Sequence, residues 1–101
     1  MTWVDAADAS LPDESVVAVD GGGASIALAR TGGAWHALET WCTHAECPLS
    51  DGWVEGTSIR CACHGSLFDL ATGRVLEGPA EEPVRVFPTR VRKNRVEIEV
   101  P

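Results

Sequence analysis

The sequence predicts an all-β fold, a small antiparallel β-sandwich or barrel base that carries an inserted subdomain. Three observations predict it. Gly and Pro punctuate the chain often, no stretch sustains a helical apolar period, and short apolar runs near both ends are separated by turn signals. At 101 residues the chain suits one domain.

The elements follow in order. Residues 16–19 and 25–30 are short apolar runs flanking Asp20-Gly21-Gly22-Gly23, a hairpin signal. Thr31-Gly32-Gly33 turns the chain into residues 34–39, which alternate well enough for a third strand. The middle differs. Residues 40–80 hold all four Cys and two of the three His, and their strand-like pieces at 57–61, 66–69 and 74–76 are brief. This segment reads as loops organised by something other than apolar packing. Beyond it Val84 and Val86 alternate with Arg85, with Pro83 and Pro88 suited to edges or bends. Val91, then Val96, Ile98 and Val100, alternate with Arg and Glu around Lys93-Asn94, a half-buried hairpin pattern. The expected division is a β-base from about 1–39 and 81–101, with about 40–80 inserted as a subdomain that bears the Cys.

Composition narrows the function. Large apolar side chains are scarce, with two Phe, four Trp, one Met and no Tyr, so the core is thin. Small domains often offset a thin core with disulfides or a metal. Fifteen Asp and Glu against eight Lys and Arg give a net charge of −7. Phosphate backbones and anionic lipid repel such a chain, which excludes nucleic acid and membrane surfaces and favours partners with basic patches. No apolar run approaches the ~20 residues of a membrane helix, and the first residues lack the basic start and apolar stretch of a secretory signal. The expectation is a soluble cytoplasmic monomer, where structural disulfides are rare. That turns the Cys towards metal first.

Cys42-Thr43-His44 and Cys61-Ala62-Cys63-His64 carry the most information. Each segment brings one Cys close to one His. Zinc accepts two thiolates and two imidazoles in a tetrahedral site, but its usual pattern groups the Cys together and the His together. One of each per loop also suits a [2Fe–2S] cluster with Cys on one iron and His on the other.

The second arrangement resembles the Rieske family, whose Cys-x-His and Cys-x-x-His segments Cys42, His44, Cys61 and His64 match position by position. The resemblance continues through Pro48-Leu49-Ser50-Asp51-Gly52, His64-Gly65-Ser66-Leu67-Phe68-Asp69, Thr72-Gly73, Gly78-Pro79-Ala80 and Val84-Arg85-Val86-Phe87-Pro88. It implies that Cys42 and Cys61 bind the buried iron and His44 and His64 the outer iron of one [2Fe–2S] cluster. Neutral imidazoles leave such a cluster less negative, with potentials of about −150 to +300 mV against about −400 mV for plant-type ferredoxins.

The resemblance also implies a disulfide between Cys47 and Cys63, as in Rieske proteins of cytochrome bc complexes. The alternative is a pair of small buried thiols. High-potential members donate a Ser and a Tyr hydroxyl to cluster sulfurs. This chain keeps the Ser as Ser66 but has Phe68 for the Tyr, which predicts a potential below the bc class.

No basic residue lies between Arg30 and Arg60, while Glu39, Glu46, Asp51 and Glu55 do. Five of the eight basic residues, Arg85, Arg90, Arg92, Lys93 and Arg95, fall near the C-terminus. The asymmetry would steer a basic partner to the metal end. Glu46, Leu49 and Trp53 are candidates for the docking rim. Trp35 and Trp41 are expected to pack the base or the loop root, and His36 to be structural or exposed. No Ser has a persuasive His partner for nucleophilic catalysis.

The implied function is an electron carrier rather than an enzyme, a ferredoxin passing single electrons from a flavin-dependent ferredoxin reductase to a terminal ring-hydroxylating oxygenase in aromatic degradation. A Rieske subunit of another redox enzyme, nitrite reductase-like or bc-like, remains open. So does a zinc-stabilised interaction module.

Overall fold

In a computed structural model, which describes residues 2–42 and 47–101, the chain forms three antiparallel sheets. The strands are β1 (Thr2–Asp8), β2 (Ser15–Gly21), β3 (Ala24–Thr31), β4 (Ala34–Glu39), β5 (Trp53–Glu55), β6 (Ser58–Arg60), β7 (Leu67–Asp69), β8 (Val75–Glu77), β9 (Val86–Phe87), β10 (Thr89–Arg92) and β11 (Arg95–Val100). A single 3₁₀ turn spans Leu49–Asp51, and no α-helix occurs among the described residues. The sheets run in the orders β1-β11-β10, β2-β3-β4-β9 and β5-β6-β7-β8. The all-β expectation holds.

The central sheet, β2-β3-β4-β9, is covered on both faces, and β3 shows how. Ile26 and Leu28 join Ala37, Val96, Ile98 and Val100 in one buried cluster. Their neighbours Ala27 and Ala29 join Leu38, Leu49, Ile59, Phe68 and Leu70 in the other. Successive strand residues point to opposite faces, so a strand buried on both sides needs an unbroken apolar run. The register extends the division across the sheet. Val16 pairs with Ala29, Leu38 with Ala27 and with Val86, and all lie on the second face.

The second cluster corrects the expectation that residues 40–80 lack apolar packing. Leu49, Ile59, Phe68 and Leu70 are fully buried there beside Cys42, Cys47 and Cys61. Leu49 comes from the 3₁₀ turn, Ile59 from β6, and Phe68 and Leu70 from β7 and the residue after it, so they make no long periodic run. The small Ala27 and Ala29 give them room to reach the central sheet.

Two strands were not foreseen. β1 pairs with β11, but its register shifts between Asp5 and Ala7. That irregularity breaks the two-residue alternation of Thr2–Asp8. β5 is three residues long and lies between Gly52 and Gly56, where turn signals mask it. The turn at Lys93-Asn94 is as expected, with both residues at positive φ.

Candidate metal centre

Two segments meet at the edge of the second cluster. The first leaves β4 through Thr40, Trp41 and Cys42. Trp41 forms an isolated bridge with Pro48, Cys42 N–H donates to the Cys47 carbonyl at 3.0 Å, and Leu49 N–H donates to the Thr40 carbonyl. Thr40 is buried, and its hydroxyl lies 3.2 Å from that of Ser50. This first loop is therefore closed at its root. His44 and Glu46 lie outside the described residues.

The second segment follows β6. Cys61 N–H donates to the Ser66 carbonyl at 2.8 Å, and Gly65 N–H returns to the Cys61 carbonyl at 3.1 Å. A tight turn results, and Gly65 takes it at φ +79°, where a side chain would be strained. Cys61 is buried at the root of the turn, while Cys63 and His64 are exposed on it.

Cys47 and Cys63 are joined by a disulfide with 6.3 Å between Cα atoms, bridging the two segments. The sulfurs of Cys47, Cys61 and Cys63 lie within 4.8 Å of one another. Disulfide sulfurs are not thiolate donors, so this trio is not itself a metal site. It sets the disulfide against the Cys61 thiol. Cys42 and Cys61 are the buried thiols outside the disulfide, and they share one apolar cluster.

Ser66 and Phe68 are both fully buried. Ser66 Oγ accepts the Ala80 N–H at 3.0 Å, leaving the hydroxyl proton to donate elsewhere. Phe68 packs in the cluster that holds Cys42 and Cys61.

The docking candidates divide. Trp53 is exposed, but Leu49 is fully buried, which removes it from any rim. The one-turn 3₁₀ helix aims Leu49 inward, where it packs in the cluster with Ile59 and Phe68. Trp41 reverses in the other sense. It is 53% exposed instead of packing the loop root. Trp35 is half-buried against the first cluster, with the Arg30 guanidinium 5.0 Å from its ring centre.

Sequence reasoning missed a polar group beside the turn. Arg60 Nε and Nη2 donate to Glu55 at 2.7 and 3.1 Å, and Trp53 Nε1 donates to Glu55 Oε2 at 2.7 Å. The hydrogen bonds from Arg60, then Trp53, hold the Glu55 carboxyl below the usual carboxylate range. The available signal was the position of Arg60 directly before Cys61, opposite Trp53 in the β5–β6 pairing. His36 is half-buried on β4. Burial lowers its pKa, and the nearby Asp69 charge opposes that shift. It borders a groove with Trp35, Phe87 and Thr89, and none of the four Cys lines that groove.

The donor chemistry suits an iron–sulfur centre. Two soft thiols lie inside an apolar cluster, and a neutral-capable imidazole stands outward on the same turn as one of them. The fold and site thus define a small β-protein built around a metal centre of the iron–sulfur kind.

The Rieske [2Fe-2S] domain family matches residues 2–88, and the chain belongs to that family. Its cofactor is one Rieske-type [2Fe–2S] cluster, and it is an electron carrier rather than an enzyme. It is 36% identical over 95 residues to the ferredoxin component of naphthalene 1,2-dioxygenase/salicylate 5-hydroxylase systems of Ralstonia sp., covering 93% of this chain and 91% of that one. It is 34% identical over 99 residues to the ferredoxin component of the naphthalene 1,2-dioxygenase system of Pseudomonas aeruginosa, covering 97% and 95%. Among solved structures it is similar to a Sphingomonas yanoikuyae B1 ferredoxin, with TM-score 0.92, 29% identity and coverage of 99% and 100%. It is also similar to a chain in the complex of reduced oxygenase and oxidized ferredoxin in carbazole 1,9a-dioxygenase, with TM-score 0.89, 32% identity and coverage of 95% and 91%.

Proposed function

We propose that this chain is the ferredoxin component of an aromatic ring-hydroxylating dioxygenase system, with Cys42, His44, Cys61 and His64 as the cluster ligands. The observation that carries the reading is the contrast on one turn, Cys61 buried at its root and His64 exposed on it. The near full-length likeness to dioxygenase ferredoxins supports the biological setting.

When bound, a [2Fe–2S] cluster supplies a one-electron couple. The chain's part is to hold and shield it. Cys42 and Cys61 supply thiolates from the apolar cluster, and the Cys47–Cys63 disulfide ties the two loops together. Ser66 offers a hydroxyl proton from its buried position, and His64 stands at the surface where a partner would dock, with Trp53 nearby on β5. Electrons would arrive one at a time from a flavin-dependent reductase and leave to the terminal oxygenase, twice per dioxygenation. No helix among the described residues is long and apolar enough to cross a membrane. A monomer in the cytoplasm fits the small, acidic chain.

EPR of the reduced protein, with iron and sulfide analysis, tests the centre. A rhombic [2Fe–2S] signal lost in Cys42→Ser and in His64→Ala is expected, and zinc without iron or sulfide would overturn the assignment. Reduction by a flavin-dependent reductase and delivery to a ring-hydroxylating oxygenase then test the role. The disulfide favours a second reading, a bc-like carrier. A midpoint in the upper part of the Rieske range would support that reading over the first.

A further inference from the structure

Arg60 is the last residue of β6, directly before Cys61, and its side chain is only 22% exposed. Its guanidinium is held on three sides. Glu55 on β5 takes it in a bidentate pair, Glu77 on β8 lies 3.4 Å from Nη2, and Nη1 donates to the Gly65 carbonyl at 2.7 Å. Gly65 is the pivot of the Cys61–His64 turn, because its N–H returns to the Cys61 carbonyl. A carbonyl of the turn is thus fixed by a cation that two strands brace from behind.

We propose that Arg60 is a positioning residue for the metal centre, holding the Cys61–Ser66 turn through the Gly65 carbonyl while Glu55 and Glu77 fix its guanidinium. The proposal rests on Cys61 and His64 being cluster ligands. An isolated surface ion pair contributes little. Here the planar fork satisfies a carboxylate and a backbone carbonyl together, which the single ammonium of Lys cannot reproduce in the same geometry. The bridge passes the rigidity of the four-stranded β5–β8 sheet into a short turn that contains Gly65.

The charge has a separate consequence. Arg60 is one of two basic residues between 47 and 82, where six acids lie. A cation beside the centre favours its more negative, reduced state, and Glu55 opposes this. Neutralising Arg60 and neutralising Glu55 should therefore move the midpoint in opposite directions. A purely structural role would not separate them by sign.

The test uses the cluster-loaded protein as wild type, Arg60→Gln, Arg60→Lys, Glu55→Gln and Arg90→Gln. Arg90 donates to Glu97 in the β1-β11-β10 sheet and serves as a control. The readouts are the rate of cluster loss to excess chelator, followed by visible absorbance, and the midpoint by mediated titration. Arg60→Gln should lose its cluster about ten- to a hundredfold faster, the scale of one lost charge-assisted hydrogen bond, and its midpoint should fall. Arg60→Lys should keep the midpoint near wild type while still losing the cluster faster. Glu55→Gln should raise the midpoint. Wild-type loss rates in Arg60→Gln, or equal acceleration in Arg90→Gln, would overturn the proposal. If Arg60→Gln does not load, Glu55→Gln decides alone, because it removes one brace of the guanidinium, and a wild-type rate of cluster loss there overturns the proposal. Absence of iron and sulfide from the wild-type protein would instead refute the ligand assignment.

Discussion

Ser66→Ala tests a buried hydroxyl with two tasks. Ser66 and Ala80 are both buried, and the serine oxygen accepts the Ala80 N–H at 3.0 Å. Replacing the hydroxyl by hydrogen leaves that N–H without its partner. The space vacated is smaller than a water needs, so nothing replaces the lost acceptor. A buried unsatisfied donor costs about 1–3 kcal/mol. For a domain of this size, each kcal/mol lowers the melting temperature by about 4–8 °C. Far-UV circular dichroism should therefore record a drop of at least about 4 °C in the variant. The second task is electronic. With a lone pair engaged by Ala80, the hydroxyl proton is left to donate, and a donor towards cluster sulfur stabilises the reduced state. The midpoint should fall in the same variant. An unchanged melting temperature would refute the structural task, and an unchanged midpoint the electronic one.

Three further outcomes are expected. Phe68→Tyr adds a hydroxyl inside the cluster that holds Cys42 and Cys61, and mediated titration should find the midpoint raised; a value equal to wild type would remove Phe68 as a cause of lower potential. After cluster removal and denaturation without reductant, a thiol reagent should titrate two thiols per chain, Cys42 and Cys61, rising to four on reduction. Four thiols before reduction would contradict the Cys47–Cys63 bond. His36 has a pKa lowered from 6.5, first by burial, so the folded chain binds that proton less readily than the unfolded chain. Stability should then decline as pH falls through about 6.5 towards the folded value. Urea unfolding of His36→Gln should show a shallower acid-side decline than wild type, and an identical decline would exclude His36.

Much of the fold was legible because the central sheet obeys local rules. The run at 26–29 is continuously apolar for a reason that the structure makes plain, since β3 is buried on both faces. The C-terminal alternation was equally direct, with Val96, Ile98 and Val100 turned to one cluster. What escaped was non-local. β1 carries its irregularity between Asp5 and Ala7, so its pattern is broken where a strand would otherwise announce itself. Leu49 and Trp41 exchanged their expected places because neither sits in a periodic run, and only the path of the loop decides which faces inward. The ligand-type residues stood out by spacing, whereas Arg60 did not. Its meaning depends on Glu55 across a hairpin and Glu77 on a later strand.

The distribution of charge gains a finer meaning from these pairings. In the C-terminal hairpin, Arg95 is bound to Asp5 and Arg90 to Glu97, so part of the basic cluster is neutralised in place. Between residues 47 and 82, six acids face two arginines, and one of those, Arg60, is already shared by Glu55 and Glu77. The negative excess on the cysteine-bearing segment is therefore not cancelled by its own cations. Around it lie exposed apolar side chains, Trp41, Trp53 and Leu76. A brief electron-transfer encounter needs rapid approach and easy release more than extensive contact. Acidic groups that act over roughly 8 Å at physiological salt can orient a basic partner, and a few aromatic contacts can then seat it. Such an encounter should be fast at low ionic strength and slow as salt rises, because salt screens the attraction between exposed charges.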